Sequence, residues 1–377
     1  MSDSTPTSGK NGLKKATGVS PMNGGNGDYS YHKNSYYQRI AANFEHEKIN
    51  EEIAEKFDIE DLALTKTIRI ADLGCSTGPN TFINMHTIVE AIKQKHETLC
   101  PTSSTRPEFQ LFLNDLVTND FNTLFKSLPI DREYFVAVVP GSFHGRIFPE
   151  SSLHFVFMSH SLHWLSKLPA ALEDENSPAW NKGRVHYANA PDEVVKAYRS
   201  QFGEEVEKFL DARAKELVGG AMLVIIMSGI PVDLPFSSTA NGVMFEFMAS
   251  ILMEMVQEGW IEESQVDSFN LPIYASASPE EMRNLVEKNG CFSIERLELA
   301  KPSSWLKDSV DVQDWMMHVR AAMEGIFIKH FGSVEAVDEM FKRLTKKHLD
   351  HSQLLPEWCD KEIQLFVVLK RKKIICI

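Results

Sequence analysis

Short apolar runs recur along the chain, and each ends at a glycine, a proline or a polar turn residue. The first five are Thr67–Leu73, Glu108–Leu113, Tyr134–Val139, Leu153–Met158 and Ala221–Met227. Continuous runs rich in β-branched and aromatic residues are typical of parallel strands buried on both faces. Helical periodicity fills the intervals, for example over Asn80–Lys95 and Asp192–Val218. Alternating strands and helices predict an α/β fold with a doubly wound, mostly parallel sheet.

Two later apolar runs and two long helical segments extend this pattern. Phe292–Leu299 and Ile363–Leu369 are predicted to close the sheet as an antiparallel pair. Asn241–Gly259 and Val310–Lys347 have helical spacing, are rich in Met and aromatic residues, and interrupt the alternation. We interpret them as a helical cap over the ligand edge of the sheet. Extra core helices on one face of the sheet are the alternative interpretation.

The polarity of the N-terminal segment sets the predicted domain division. Residues 1–20 are small and polar and have no periodicity, so we expect a disordered tail. A chain of 377 residues allows one large domain with insertions, or two domains. We interpret residues 21–377 as a single domain, with the helical cap built mainly from insertions at about 235–280 and 303–350.

Composition excludes several classes of protein. The 39 basic and 52 acidic side chains give a net charge of −13, which repels phosphate backbones and argues against a nucleic-acid partner. Five scattered cysteines form no C-x-x-C pair, which argues against a disulfide framework and favours a reducing compartment. No apolar run approaches the ~20 residues of a membrane span, and the N-terminus lacks the apolar core of a secretory signal. We therefore expect a cytoplasmic protein without a membrane partner.

The strongest local signal is the stretch IADLGCSTGPNT at residues 70–81, where a strand runs into a glycine turn and then a helix. Ligands of open α/β sheets bind outside the carboxyl ends of such strands. The G-x-x-x-G spacing is neither the dinucleotide fingerprint nor a P-loop. Asp72 ends this strand and Asp115 ends the next, where an acid suits a ribose diol. The pair resembles class I S-adenosylmethionine-dependent methyltransferases, and capping of the following helix is the alternative role for either aspartate.

Further motifs follow one another over residues 21–370, in an order and spacing that match one known family. They are MNGG (22–25) with Tyr31 and Asn34-Ser35, LNDLVTNDFN (113–122), VPGSFHGRIFP (139–149), SHSLHWLSKLP (159–169), WNKG (180–183) and VDSFNLPIY (266–274). Together with the glycine loop they resemble the plant SABATH methyltransferases of small carboxylic acids and xanthine alkaloids. The resemblance implies a class I, Rossmann-like methyltransferase fold, S-adenosylmethionine as methyl donor and a homodimer.

The resemblance also implies roles for individual residues. Those that match donor-binding positions of the family are Tyr31, Ser35, Cys75, Asn80, Asp115, Leu116, Ser142 and Phe143. Asp115 is expected to accept hydrogen bonds from both ribose hydroxyls, and Asp72 is expected to face the polar amino-acid end of the donor. Gln38 and Trp164 match the residues that hold the acceptor carboxylate through side-chain N–H groups. Tyr31 is expected to contact the acceptor as well.

The family pattern includes a metal-linked polar cluster. Its positions match Asn181, Asp267, the backbone oxygen of Phe269, and Asn270. An oxygen-only set of this kind suits Mg²⁺. Bracing of a turn by the same side chains is the alternative.

The chain departs from the salicylate-type members of the family in its acceptor pocket. His160 and His163 stand where those members carry Tyr and Met, and Phe245 and Val319 replace a Trp and a Met of the cap. These replacements indicate a larger or differently shaped cavity. Each histidine is expected either to contact the acceptor or to be a packed, hydrogen-bonded core residue.

The reaction that the resemblance implies is methylation of the carboxylate of a small plant acid to its methyl ester. A carboxylic acid is already ionised at neutral pH, so no catalytic base is expected, and Gln38 and Trp164 would position one oxygen in line with the methyl group. The alternative is methylation of a ring nitrogen of a xanthine or another heterocycle, with His160 or His163 fixing the ring. A binding protein without catalytic activity is a third interpretation.

Overall fold

The computed structural model describes residues 20–58, 66–101, 106–301 and 311–373. The predicted disordered tail, apart from Ser20, lies outside the described residues. The division into one domain with a cap stays a prediction.

Seven strands of the described residues form one sheet in the order β3-β2-β1-β4-β5-β7-β6. They are β1 (Thr67–Leu73), β2 (Glu108–Asp115), β3 (Phe135–Pro140), β4 (Leu153–Ser159), β5 (Leu217–Ser228), β6 (Phe292–Ala300) and β7 (Gln364–Arg371). Strands β1 to β5 run parallel to one another. β7 runs antiparallel to both β5 and β6. The doubly wound, mostly parallel sheet with an antiparallel closing pair is therefore confirmed.

The α-helices are numbered in chain order. They are α1 (Tyr31–Asn34), α2 (Tyr36–Asn43), α3 (His46–Lys56), α4 (Asn80–Leu99), α5 (Phe121–Lys126), α6 (Asp192–Glu216), α7 (Ala240–Gln257), α8 (Glu263–Asp267), α9 (Pro279–Asn289), α10 (Val312–Phe331), α11 (Val334–Asp350) and α12 (Leu355–Cys359). Short 3₁₀ turns cover Ala170–Leu172, Phe236–Ser238 and Ser352–Leu354.

Both faces of the inner strands are buried, which explains why β4 and β5 are almost continuously apolar. Along β5, Leu223 and Ile225 pack into a core with α6 and the helices α7 and α10. Their neighbours Val224 and Ile226 point to the opposite face, into a second core with α3 and α4. Because successive side chains of a strand alternate between faces, every position of a doubly covered strand is apolar.

Some element boundaries differ from the sequence prediction. The strand β5 begins at Leu217 rather than Ala221, because Leu217 pairs with Leu153 before a bulge, so the two glycines lie inside the strand. The segment Val310–Lys347, predicted to be mostly helical, contains α10 and the greater part of α11, and Val310 itself lies outside the described residues. Gly332 ends α10 in the left-handed conformation (φ +71°), and the Ser333 hydroxyl caps α11.

Candidate functional site

A glycine turn joins β1 to the structures on either side of it. The backbone N–H groups of Gly74 and Cys75 both donate to the carbonyl oxygen of Asn114, at 2.9 Å, at the end of β2. Gly74 has a φ of +88°, and a Cβ added there would lie 2.4 Å from the Cβ of Ser161, which follows β4. Only glycine combines this conformation with this approach. The turn therefore brings the carboxyl ends of β1, β2 and β4 together.

Two aspartates lie at these strand ends, Asp72 buried and Asp115 half-buried. Asp72 accepts a hydrogen bond from the Thr81 hydroxyl. Asp115 accepts from the backbone N–H groups of Ser76 and Leu116, each at 2.7 Å. Burial raises the pKa of Asp72 to about 7, with a further contribution from the Asp115 charge, and burial raises the pKa of Asp115 to about 6. A ligand that brings positive charge or hydrogen-bond donors therefore stabilises the ionised form of each carboxylate.

Neither aspartate caps a helix. The N-cap residue of α4 is Pro79, and that of α5 is Asp120. The alternative role considered for Asp72 and Asp115 is therefore wrong.

A first cavity opens in front of β1. Five of the predicted residues line it: Tyr31, Gln38, Asp72, Cys75 and Asn80. The buried Ser76 Oγ and Asn80 Oδ1 also belong to its wall and have no hydrogen-bond partner within the described structure. Asn80 Nδ2 donates to the carbonyl oxygen of Ser35 at 2.9 Å, which ties the N-terminal segment to α4. One carboxylate, two unpartnered polar atoms and a glycine-lined floor fit a polar nucleoside ligand.

The predicted adenine-side residues lie beside this cavity and not in its wall. The backbone N–H of Gly141 donates to the carbonyl oxygen of Asp115 at 2.8 Å, so the loop that carries Ser142 and Phe143 starts next to the second aspartate. The Phe143 ring lies 6.3 Å from the ring of Phe209. Ser142, Phe143, Leu116, Ser35 and Asp115 are absent from the residues that line the cavity.

A second cavity, of about 170 Å³, adjoins the first. Six of the seven predicted acceptor residues line it: Gln38, His160, His163, Trp164, Phe245 and Val319. The seventh, Tyr31, lines the first cavity and not this one. Gln38 is common to both cavities. Helices α7 and α10, which the sequence predicts as cap, supply Phe245 and Val319. Among the described lining residues none is Lys or Arg.

Comparison with known proteins identifies the family. Residues 17–372 match the sequence profile of the family described as SAM dependent carboxyl methyltransferase. The chain belongs to this family. Loganic acid O-methyltransferase of Catharanthus roseus is 44% identical over 96% of both chains. A 3,7-dimethylxanthine N-methyltransferase of Camellia sinensis var. assamica is 36% identical over 95% of this chain and 98% of its own.

A solved structure agrees with this family assignment. The structure of loganic acid methyltransferase with SAH superposes with a TM-score of 0.89, is 43% identical, and covers 95% of this chain and all of that one. The predicted family, the class I fold and the enzyme class are confirmed. The protein is an S-adenosylmethionine-dependent carboxyl methyltransferase, and the predicted methyl donor is confirmed.

The histidines of the methyltransferase's second cavity are neutral. Burial lowers the pKa of His160 to about 4 and that of His163 to about 3. His160 has a left-handed backbone (φ +54°) and its N–H donates to the Ile226 carbonyl at 2.7 Å. His318 is a third cavity histidine that the sequence analysis missed, and its Nδ1 lies 2.9 Å from the Asn34 carbonyl. Burial lowers its pKa to about 4.

A buried ion pair holds the loop of residues 141–149. Arg213 and Glu216, at the end of α6, are fully buried and lie 2.6 Å apart. The Arg213 guanidinium donates to the carbonyl oxygens of Phe143 and Gly145 (3.1 and 2.9 Å). Glu216 Oε1 accepts from two successive backbone N–H groups of the same loop, at 2.6 and 2.8 Å. The pair fixes the backbone that carries the predicted adenine contacts, and the sequence analysis missed it.

A second buried carboxylate links this loop to the acceptor-side loop. Glu205 accepts hydrogen bonds from the backbone N–H and the hydroxyl of Ser166, at 2.9 and 2.6 Å. His144 Nε2 lies 3.6 Å from Glu205 Oε2, the oxygen that also accepts from the Ser166 N–H. The loops that flank the two cavities are therefore held to one point on α6.

The predicted metal cluster is partly satisfied by the protein itself. Asn181 Nδ2 donates to Asn270 Oδ1 at 2.8 Å. Asp267 accepts from the backbone N–H of Gly183 at 3.0 Å and lies 3.6 Å from Lys182 Nζ. The buried Asn181 Oδ1 has no hydrogen-bond partner among the described residues. An unpartnered amide oxygen is a ligand that suits a hard cation, although the described residues contain no group of three His, Cys, Asp or Glu that could hold a metal.

No helix in the described part of the methyltransferase is long and apolar enough to cross a membrane.

The raised pKa of Asp72 predicts that donor-product affinity depends on pH. A ligand ammonium group favours the ionised carboxylate, so binding must displace the proton that Asp72 carries below about pH 7. Through Asp72 alone, S-adenosylhomocysteine should bind roughly 25-fold more weakly at pH 5.5 than at pH 7.5, because the ionised fraction of a group with a pKa of about 7 falls from about three quarters to about 3%. In the Asp72→Asn variant this dependence should shrink to the part that Asp115 contributes below about pH 6. Calorimetric titrations across this range check the prediction, and equal slopes for both proteins would contradict it.

Proposed function

We propose that the protein transfers the methyl group of S-adenosylmethionine to the carboxylate of a small plant acid, with a methyl ester and S-adenosylhomocysteine as products. The observation that carries this proposal is the position of Gln38, which lines both cavities. A side-chain amide at the junction can hold an acceptor oxygen where the donor methyl group arrives. The family description and the loganic acid relative support a carboxylate acceptor.

In the proposed reaction the protein positions the acceptor and supplies no base. The acceptor carboxylate is ionised at neutral pH, and one of its oxygens forms the new bond to the methyl carbon. The S–CH₃ bond of the bound sulfonium breaks, and its electron pair stays on sulfur. Gln38 and the indole N–H of Trp164 orient the carboxylate. Met244, Phe245 and the other apolar residues of the second cavity exclude water from the nucleophile.

In the donor site we assign the contacts as the resemblance implies. Asp115 binds the ribose hydroxyls, Asp72 faces the amino-acid end, and Ser142 and Phe143 flank the adenine. Tyr31, Ser35, Cys75, Asn80 and Leu116 complete the donor-binding set. The shared edge position of the two aspartates and the unpartnered Asn80 Oδ1 support this assignment.

The N-methylation alternative is favoured by one observation. The second cavity, which would hold the acceptor, is called the acceptor cavity from here on. His160, His163 and His318 are neutral and line it, so they can hydrogen-bond a heterocycle. A xanthine methyltransferase is among the relatives, at a lower identity than the carboxyl methyltransferase.

The identity of the product separates the two reactions. With methyl-labelled S-adenosylmethionine we expect base-labile product from one or more of benzoic, cinnamic, farnesoic and loganic acids, and none from xanthine or 7-methylxanthine. Esters hydrolyse in mild alkali, whereas N-methyl groups do not. Base-stable product from the xanthines alone would overturn the carboxylate assignment.

A Trp164→Phe variant tests how the carboxylate is held. Phenylalanine keeps an aromatic ring at this position but has no N–H donor. We therefore expect a roughly 10–100-fold loss in kcat/KM for the best acid of that panel. S-adenosylhomocysteine should bind within twofold of the wild type, which shows that the fold and the donor site are intact. An unchanged kcat/KM, or equal losses for acceptor and donor, would refute the assigned role.

We infer that Asn181, Asp267, Asn270 and the backbone oxygen of Phe269 form a structural Mg²⁺ site. The unpartnered Asn181 Oδ1 supports it, and no step of the reaction depends on it. Mg²⁺ should raise the melting temperature of the wild type above its value in EDTA and have no such effect on the Asp267→Asn variant. The same melting temperature for the wild type in both buffers would leave these residues with a bracing role only.

We also propose that the enzyme is a cytoplasmic homodimer. The family resemblance supports the dimer, which sedimentation equilibrium can test. Cys75, Cys100, Cys291 and Cys359 are unpaired among the described residues, which is consistent with a reducing compartment. Fractionation of cells that express a tagged protein would test the location.

A further inference from the structure

Among the described residues that line the acceptor cavity, two carry a buried side-chain atom without a hydrogen-bond partner. These atoms are Gln364 Oε1 and His160 Nε2. The Gln364 residue is only 4% exposed. A buried polar atom without a partner costs roughly 1–3 kcal/mol, so such atoms mark positions where a ligand group is stabilised. Neither atom is used in the positioning of the acceptor carboxylate.

Gln364 lies far from the strand that carries the donor site. It is the first residue of β7, opposite Ser228 of β5 and Ala300 of β6. The sheet order separates β7 from β1 by three strand spacings, or about 14 Å. Gln364 lines the acceptor cavity alone, whereas Gln38 lines both cavities. A polar group that reaches Gln364 is therefore at the end of the acceptor opposite the reacting carboxylate.

Charges around the cavity restrict what that group can be. Glu362 lines the same cavity, and its carboxylate accepts from the backbone N–H of Asn241 at 2.7 Å. Because no Lys or Arg belongs to the described lining residues, a second carboxylate on the acceptor would be buried beside Glu362 without a counter-charge. The amide oxygen of Gln364 accepts hydrogen bonds and cannot donate them. A hydrogen-bond donor fits these constraints, and a neutral donor avoids the desolvation cost of burying a further charge.

We propose that the natural acceptor is a monocarboxylic acid with a hydroxyl group at its far end, and that this hydroxyl donates to Gln364 Oε1. His160 Nε2 is the second polar contact, as acceptor or donor according to its tautomer. This inference rests on the proposed carboxyl methylation and adds the substrate class. Gln364 becomes a specificity-determining residue, distinct from the residues that hold the carboxylate.

Matched pairs of acids test the substrate class. Benzoate is compared with 3- and 4-hydroxybenzoate, and cinnamate with 3- and 4-hydroxycinnamate, at pH 7 where the phenolic hydroxyl stays protonated. At one or more hydroxyl positions kcat/KM should exceed that of the parent acid about fivefold to tenfold. Terephthalate, with a second carboxylate in place of the hydroxyl, should be methylated less well than benzoate.

Variants test the assignment to Gln364. In Gln364→Leu, and in the closer isostere Gln364→Met, the ratio of hydroxylated to parent acid should fall to about one. The ratio within a pair cancels any general loss of active protein. Met244→Leu changes the same cavity without removing a polar atom, so it should keep the wild-type ratio. Retention of the hydroxyl preference in both Gln364 variants would overturn the assignment.

The failures of the two proposals are distinguishable. Equal methylation of hydroxylated and parent acids would overturn the hydroxyl inference and leave carboxyl methylation standing. No ester from any of these acids or from loganic and farnesoic acids, with N-methyl product from xanthines, would overturn both.

Discussion

The close packing of Gly74 against Ser161 is the constraint on which the rest of the site depends. A side chain at residue 74 would collide with the loop after β4, and that loop supplies His160, His163 and Trp164 to the acceptor cavity. The backbone N–H groups of the same turn donate to the carbonyl oxygen of Asn114 at the end of β2. One backbone conformation therefore fixes the strand ends that carry Asp72 and Asp115 relative to the loop after β4.

Buried polar groups of α6 hold a loop beside each of the two cavities. Arg213 and Glu216 hold the loop that carries Phe143, while Glu205 holds the loop that follows Trp164. A buried ion pair is retained here at a desolvation cost, and its bonds to backbone groups recover part of that cost. The result is a rigid frame in which binding energy can be used for alignment of the reacting atoms.

Much of the fold was readable because both faces of the sheet are covered. Inner strands such as β4 and β5 are buried on two sides and almost continuously apolar, which made them recognisable. The edge strand β6 is mostly half-buried and carries four polar residues, and its run at Phe292–Leu299 was still predicted. The prediction failed where local signals and pairing disagree: glycines at 219–220 suggested a turn, but pairing of Leu217 with Leu153 extends β5 through them. Motif residues of the site were predictable from the resemblance. Arg213 and Gln364 were not, because an isolated charge or amide gives no sign that tertiary packing buries it.

The central claim is that the carboxylate at the end of β2 anchors the donor. Calorimetric titration of S-adenosylhomocysteine into the wild type and an Asp115→Ala variant tests it most directly, with circular dichroism to confirm folding. The account predicts that the variant loses at least tenfold in affinity, since hydrogen bonds to a charged group contribute about 1.5–3 kcal/mol. Equal affinity for the two folded proteins would contradict it.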